Sequence, residues 1–442
     1  MIESARKLLE RNSLCDECLG RFFALKGSGL SNSERGFSLK AILLMEYSDD
    51  NDLVKRLAES GFAPARNLAK RRNLQFGYHE CELCRGIFNS IDELTNKGIE
   101  IARGIEYDSF LVGITGDSEI EEMQESIAST LSIATFESFR NNLSRVLGKT
   151  LSSKLGKPVS QNPDIVFIFD LSKRDIKLQI NPLYIEGRYK KYVRNIQQTS
   201  TCSACKGKGC NECNGTGLDR CVEREIVLPL YELTGATKVI MHAAGREDKN
   251  VRMLGTGRPF IVEIKNPRKR KFDYEEWIRR VNNSGAVEIL SIMRTTRSRL
   301  IEMKRAGENA RKEYVGIAEI SRDISQDDIA LLERTFTNSI VSQYTPTRVL
   351  RERGNILRKK KVYWLKLEPI SPNRIKFHIG TDGGLYVKEL ITGDNGRTSP
   401  SFAEVLGAEA KCIELDVIAV IEQRKGDDEY KHLVSETEDK KN

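Results

Sequence analysis

Apolar positions recur at helical spacing over roughly the first hundred residues and at strand spacing over much of the rest. The largely apolar run Gly36-Phe-Ser-Leu-Lys-Ala-Ile-Leu-Leu-Met45 follows Ser31-Asn-Ser-Glu34, whose serine and glutamate three residues apart predict a capping box at a helix start. Asp52 to Arg72 is a second amphipathic stretch, ending in Lys70-Arg71-Arg72, and helix is expected to continue from Cys84 to Gly98. Between 98 and 195 the period switches back and forth. Phe110–Ile114, Asp164–Asp170 and Asp175–Ile180 predict strands, and 118–129 and 136–155 predict helices. Further on, strand-like runs fall at 222–228, 239–242, 260–265, 314–320, 362–367, 375–379, 385–390 and 412–421, with helical spacing at 272–281 and 326–338. The pattern is α+β and multidomain: a helical domain over 1–97, an α/β module over 98–195, and a larger domain over 196–442 on a mainly antiparallel sheet, with a Cys-rich insertion at 200–217. Asp427–Asn442 is a charged tail, expected to fray.

Composition narrows the class. With 39% hydrophobic residues over 442 positions, wholesale disorder is excluded. No run of about 18 apolar residues predicts a membrane span. The start, Met1-Ile2-Glu3-Ser4-Ala5-Arg6-Lys7, lacks the apolar stretch of a secretory signal, so a cytoplasmic protein is expected. In a reducing compartment, paired cysteines point to metal before disulfides. Cys15-x-x-Cys18 with Cys81-x-x-Cys84 makes one tetrahedral set, across a spacer long enough for a small domain. Cys202-Ser-Ala-Cys205-Lys-Gly-Lys-Gly209 and Cys210-Asn-Glu-Cys213-Asn-Gly-Thr-Gly217 repeat C-x-x-C-x-G-x-G and make a second. Neither set leaves an open position, so any zinc is expected to be structural. Cys412 lies in an apolar stretch and reads as core.

The net charge of +8 is concentrated in runs: Asn266-Pro-Arg-Lys-Arg-Lys271, Arg348-Val-Leu-Arg-Glu-Arg353 and Arg358-Lys-Lys-Lys361. Several such runs near aromatics, in a chain already rich in Lys and Arg, point to nucleic acid. The chain lacks a phosphate-binding G-x-x-x-x-G-K-[ST] loop, a dinucleotide fingerprint, a G-x-S-x-G elbow and any paired-histidine metal motif, so no organic or nucleotide cofactor is expected. What remains is carboxylate chemistry with basic and aromatic helpers. One candidate is the turn after His242-Ala-Ala-Gly, where Arg246, Glu247 and Asp248 meet Lys249, Arg252 and Arg258; a carboxylate among so many cations stays ionised, as a nucleophile must. The other is Gly383-Gly-Leu-Tyr-Val-Lys-Glu-Leu390, where a strand would put Tyr386 and Lys388 on one face, an aromatic beside a cation.

Asp248 in Gly-Arg-Glu-Asp-x-x-Val-Arg-Met-Leu-Gly-x-Gly-Arg-Pro-Phe, and Tyr386 in Gly-x-Tyr-Val-Lys-Glu with the trailing Gly-Asp-x-Gly-Arg-Thr, resemble the archaeal tRNA pseudouridine synthases that modify T-loop uridines 54 and 55. Asn181 to Arg194, Ile196-Gln-Gln-Thr199, Ser342 to Val349 and Leu415-Asp-Val417 are similar to that family too. The resemblance implies a pseudouridine-synthase-type catalytic domain, a THUMP-like RNA-binding module and a zinc-bound N-terminal domain, acting on tRNA as a monomer. It implies that Asp248 attacks the flipped nucleoside, that Tyr386 stacks on the base or takes a proton, and that Lys388 pairs with Asp248. It assigns Arg246 to the gap left in the tRNA stack and Leu415 to the floor under the base, and leaves Arg252, Arg258, Lys269, Lys271 and Arg348 to grip RNA. Asn250 stands where the family pattern has a second acid, Leu385 replaces a small polar residue, and Gly354-Asn355 interrupts a basic stretch. The rival expectations are a different THUMP-containing tRNA-modifying enzyme and a non-catalytic, zinc-containing tRNA-binding or chaperone protein.

Overall fold

A computed structural model describes residues 1–351 and 354–421. The chain divides into two compact units, Met1–Asn181 and Pro182 onward. The charged tail expected over 427–442, together with Glu352 and Arg353 of the second cationic run, lies outside the described residues. No helix among the described residues is long and apolar enough to cross a membrane.

In the first unit, eight α-helices surround a three-stranded sheet, β1 (Phe110–Thr115), β2 (Ile165–Asp170) and β3 (Asp175–Ile180), in the order β1-β2-β3. The capping box forms as expected: the Ser31 N–H donates to Glu34 Oε2 at 2.7 Å, and the Glu34 N–H donates to Ser31 Oγ at 3.2 Å. The stretch 52–72 is two helices rather than one, Asn51–Glu59 and Ala63–Arg71, broken at Gly61 with φ 90° and restarted by a proline in the first turn. The α-helix after Cys84 is likewise delayed to Ile91, because the cysteine knuckle turns through Gly86 with φ 73°. One core runs through the helices and the sheet. The buried Arg21 Nε donates to Gln124 Oε1 at 2.6 Å, and Phe88 meets Phe139 edge-on at 6.0 Å.

The second unit is built on ten strands: β4 (Leu183–Lys191), β5 (Lys238–Ala243), β6 (Arg252–Lys265), β7 (Val287–Thr295), β8 (Arg311–Ile320), β9 (Ser339–Tyr344), β10 (Leu357–Ser371), β11 (Arg374–Asp382), β12 (Thr398–Ser399) and β13 (Ala410–Ile421). Their order is β12-β9-β10-β11-β8-β13-β6-β4-β7, with β5 on β6, and every pairing is antiparallel except β13 with β6. Because β4 bonds to both β6 and β7, the boundary expected at 195/196 moves back to 181/182.

Two segments expected as strands are helices. Val222–Thr234 buries Val222, Ile226, Val227 and Leu230, a helical repeat hidden within an aliphatic cluster, and Cys221 caps it. The Trp277 indole N–H donates to the Ile226 carbonyl at 2.9 Å. Leu385–Leu390 is also not a strand: Val387–Thr392 is a short helix with Tyr386 at its N-cap. The strands β7 and β9 and the helix Arg297–Asn309 were not expected at all. Cys412 is half-buried against the core rather than sealed within it.

Candidate active site

The connection from β5 to β6, residues 244–251, carries Asp248, and buried groups hold its backbone in place. Lys191, fully buried on β4, donates from Nζ to the carbonyls of Ile196 (3.0 Å), Asp248 (3.3 Å) and Lys249 (3.3 Å). Arg258 Nη1 donates to the Ala244 carbonyl at 2.7 Å. Beside Asp248, the side chain of Glu247 turns inward and meets Arg258 Nε at 2.9 Å, both side chains being at most 1% exposed. The Tyr189 hydroxyl donates to the same carboxylate at 3.1 Å, and Gln198 Nε2 donates to Tyr189 Oη at 2.9 Å. A buried pair needs such extra partners to offset its desolvation. Adjacent carboxylates thus take opposite roles, one anchoring the turn and the other left facing the cleft.

Asp248 meets two cations at a single oxygen. Lys388 Nζ lies 3.0 Å and Arg348 Nη1 3.1 Å from Oδ2. Burial by itself raises the Asp248 carboxyl, but Arg348 and then Lys388 outweigh it and hold the group below its ordinary value. Lys388 Nζ also donates to Asn250 Oδ1 at 2.7 Å, so the amide standing in place of the second acid supplies the oxygen that an acid would have offered. Arg348 Nε donates to Glu389 Oε1 at 2.6 Å, and its guanidinium lies 5.9 Å from the centre of the Tyr386 ring. Tyr386 is fixed by Gln343, whose amide accepts from its N–H (2.8 Å) and donates to its carbonyl (3.1 Å).

Asp248, Arg348, Tyr386 and Lys388 line a cleft of about 590 Å³, together with Arg246, Lys304, Lys312, Tyr314, Leu415 and Val417. The catalytic set read from the sequence, Asp248, Tyr386 and Lys388, therefore converges, though by a helix start and not by strand alternation. Arg348, expected on RNA, is part of the same cluster. Leu415 and Arg246 also reach the cleft, the first buried and the second exposed. Arg258 does not face solvent: paired with Glu247 under the turn, it has no surface to offer RNA. Arg252 forks onto Asp416 (3.0 and 2.6 Å) outside the lining. Lys269 and Lys271 are exposed, but at the other end of β5 and β6. The register runs from Ala243↔Phe260 near the cleft to Lys238↔Lys265 away from it, placing them about 20 Å off at some 3.3 Å per residue. Tyr314 was missed. It stands on β8 in a regular alternation that reads as core, and burial foremost pushes its phenol up to about 12, with Asp248 adding to the effect and Arg258 opposing it.

Both cysteine quartets close. The sulfurs of Cys15, Cys18, Cys81 and Cys84 lie within 4.8 Å of one another, as do those of Cys202, Cys205, Cys210 and Cys213. In the second quartet the N–H groups of Gly209, Cys210 and Gly217 donate to sulfurs at 3.1–3.2 Å, the backbone wrapping expected around thiolates. Burial raises the Cys213 thiol, yet the N–H groups of Cys210 and Gly217 and the neighbouring thiols bring it down to about 6. Either quartet could hold one metal ion with no position left open.

Comparison with known proteins adds three findings. The family described as Pus10, C-terminal, matches residues 184–421, and the archaeal Pus10 THUMP domain matches 94–170. The tRNA pseudouridine synthase Pus10 of Thermofilum pendens is 39% identical over 94% of this chain and 94% of its own. The Pus10 of Pyrococcus furiosus is 37% identical over 97% of this chain and 100% of its own. A solved Cbf5-Nop10-Gar1 complex overlaps 54% of this chain and 60% of its own at 16% identity and a TM-score of 0.28, too low to bear on the fold.

Proposed function

Since the chain belongs to the Pus10 family of tRNA pseudouridine synthases, we propose that Asp248 is the nucleophile of its isomerisation and that its targets are the T-loop uridines 54 and 55. The observation that carries this reading is the lopsided grip on one carboxylate. Lys388 and Arg348 both hold Oδ2, and among the described residues no hydrogen bond reaches Oδ1. A carboxylate ionised at cleft pH, fixed at one oxygen and open at the other, is prepared to attack carbon.

The uridine must leave its stack to reach that oxygen, at a cost of a few kcal/mol. Exposed Arg246 occupies the vacated space, and Leu415 and Tyr314 give the extruded base a flat apolar floor. Attack by Oδ1 breaks the bond from N1 to the ribose. The freed uracil turns within the cleft and its C5 bonds to the ribose carbon, expelling the Asp248 carboxylate; the C5 proton then leaves to solvent by way of a phenol, Tyr386 or Tyr314, and N1 takes a proton up from solvent. No cofactor enters this sequence. Zinc in the two cysteine quartets would cross-link each unit, holding the RNA-gripping surfaces in shape and taking no part in the isomerisation.

The test is tritium release from tRNA carrying 5-tritiated uridine, with pseudouridine mapped at positions 54 and 55. Asp248→Asn should release no tritium while still binding tRNA. Normal turnover by that variant, or modification only outside the T-loop, would refute the reading.

A further inference from the structure

Glu389 follows Lys388 on the helix Val387–Thr392 and points elsewhere, since successive helix positions are about 100° apart. It is only 6% exposed, yet Oε1 accepts a single bond, from Arg348 Nε at 2.6 Å, and Oε2 is buried with no partner. A buried carboxylate kept for one contact is costly unless that contact matters. The contact joins two segments. Arg348 sits on the turn Thr347–Val349, whose Thr347 N–H is itself held by Asp394 Oδ2 at 2.9 Å, and its side chain is 39% exposed. Without Glu389 so open a guanidinium would extend into water. With it, Nε is tied and one terminal nitrogen is presented to Asp248.

We propose that Glu389 is a positioning residue, which through Arg348 fixes Oδ2 of Asp248 and leaves Oδ1 aimed at the ribose. The proposal rests on Asp248 being the nucleophile. Asp248 is also faced by Lys388 from the same helix as Glu389, Lys191 from β4 and Tyr314 from β8, while Arg258 from β6 and Glu247 from its own turn pair with each other beneath it. Glu389 is faced by Arg348, and by Cys412 from β13. Two pictures then give opposite signs. If Glu389 holds Arg348, then Glu389→Gln, whose neutral amide oxygen grips Nε more weakly than a carboxylate, loosens the guanidinium, Asp248 loses part of a cation, and burial lifts its pKa. If Glu389 only packs, Arg348 stays, a nearby negative charge is lost, and the Asp248 pKa stays or falls.

The experiment is the pH profile of single-turnover tritium release for wild type, Glu389→Gln, Glu389→Asp, Arg348→Gln and the Glu389→Gln/Arg348→Gln double variant, with Asp248→Asn as control. Asp248 is active when ionised, so the acid limb of the profile reports it. We expect Glu389→Gln and Arg348→Gln to move that limb upward by about one pH unit, hence about tenfold in rate at its acid end. The double variant should move it no further, and Glu389→Asp should restore part of the shift. An acid limb that stays or falls in Glu389→Gln, or shifts that add in the double variant, would overturn the inference. If Glu389→Gln does not fold, the Glu389→Asp and Arg348→Gln limbs decide it alone. Turnover by Asp248→Asn would instead remove the reading beneath it.

Discussion

Replacing Lys312 with methionine is predicted to stabilise the folded chain at pH 7 and below, and to stabilise it less as the pH rises. Lys312 stands on β8 at 8% exposure, and among the described residues neither a hydrogen bond nor an ion pair reaches its amine. A Cβ built on Gly245 would lie 3.2 Å from Lys312 Nζ and 3.0 Å from Arg258 Nη1, so two cations crowd one glycine of the turn carrying Asp248. Burial above all, with Arg258 beside it and Glu247 partly opposing, brings the amine down from 10.5 to about 7. Between about pH 7 and 10.5 the unfolded chain therefore carries a proton that the folded chain has shed. The folded state pays the full penalty below about pH 7 and is relieved of it as pH climbs toward 10.5. A displacement of about 3.5 pH units, at 1.36 kcal/mol for each, is about 5 kcal/mol. Methionine keeps the length and drops the charge. Urea unfolding at pH 6, 8 and 10 measures the difference between variant and wild type, in which all other titrating groups cancel. The expected gain is about 3–5 kcal/mol at pH 6, shrinking toward zero by pH 10. A difference that ignores pH, or a variant less stable at pH 6, would refute the argument. Because Lys312 lines the cleft, the stabilised variant should turn over more slowly if the amine contributes to catalysis, and an unchanged rate would show that it does not.

Metal analysis should find about two zinc ions per chain, one per quartet. Prolonged chelation should then lower the melting temperature and open the segments around Cys15–Cys84 and Cys202–Cys213 to protease; a metal-free chain that melts and resists protease as before would count against structural zinc. At the remote basic run, Lys269→Ala with Lys271→Ala should weaken tRNA binding and flatten its salt dependence by about one contact per lysine, with the single-turnover rate at saturation unchanged. Equal affinity at moderate salt would show that RNA does not reach that end of β5 and β6.

How much could be read from the sequence depends on how local each signal is. Cysteine spacing is local and strong, because two residues between thiolates let both sulfurs face one ion, and both quartets close. The turn holding Asp248 was legible because a carboxylate among clustered cations stands out without any fold. Periodicity failed where apolar density was uniform. In Val222–Leu230 the aliphatic residues are too many for alternation and helical spacing to be told apart, and burial on one side decides for helix. It failed again at Leu385–Leu390, where a strand and a helix N-terminus both bring Tyr386 and Lys388 near the same neighbour, so the correct partner was inferred from the wrong element. Charge runs were the least legible. Arg252 and Arg258 carry the same charge in the sequence as Arg246, and only the positions of Asp416 and Glu247 show that the first forks onto a carboxylate and the second is buried beneath the turn. Nothing local marks Tyr314, whose role depends on what β13 places beside it.

That placement also accounts for where the chemistry sits. β13 is antiparallel to β8 and parallel to β6, the one parallel pairing among the described strands of the large sheet. On β8, Lys312 and Tyr314 are two residues apart and so share a face. On β13, Leu415 and Val417 share one too, and the register sets Val417 opposite Tyr314. These four side chains line the floor of the cleft. An antiparallel neighbour joined by a tight hairpin would cover this edge with its own turn, but a parallel neighbour must be reached from elsewhere in the chain. Here β6 begins at Arg252, level with Asp416 in the middle of β13, so the turn carrying Asp248 lies over the sheet instead of beyond its end. The helix bearing Lys388 and Glu389 and the turn bearing Arg348 supply the remaining walls, so the carboxylate, itself on one connection, is gripped by segments from two others. A fold that draws this carboxylate and both restraining cations from different loops can move any one of them without rebuilding the others, and the Arg348 contact, whose only other side-chain hydrogen bond among the described residues is to Glu389, is the one that a change at Glu389 should move first.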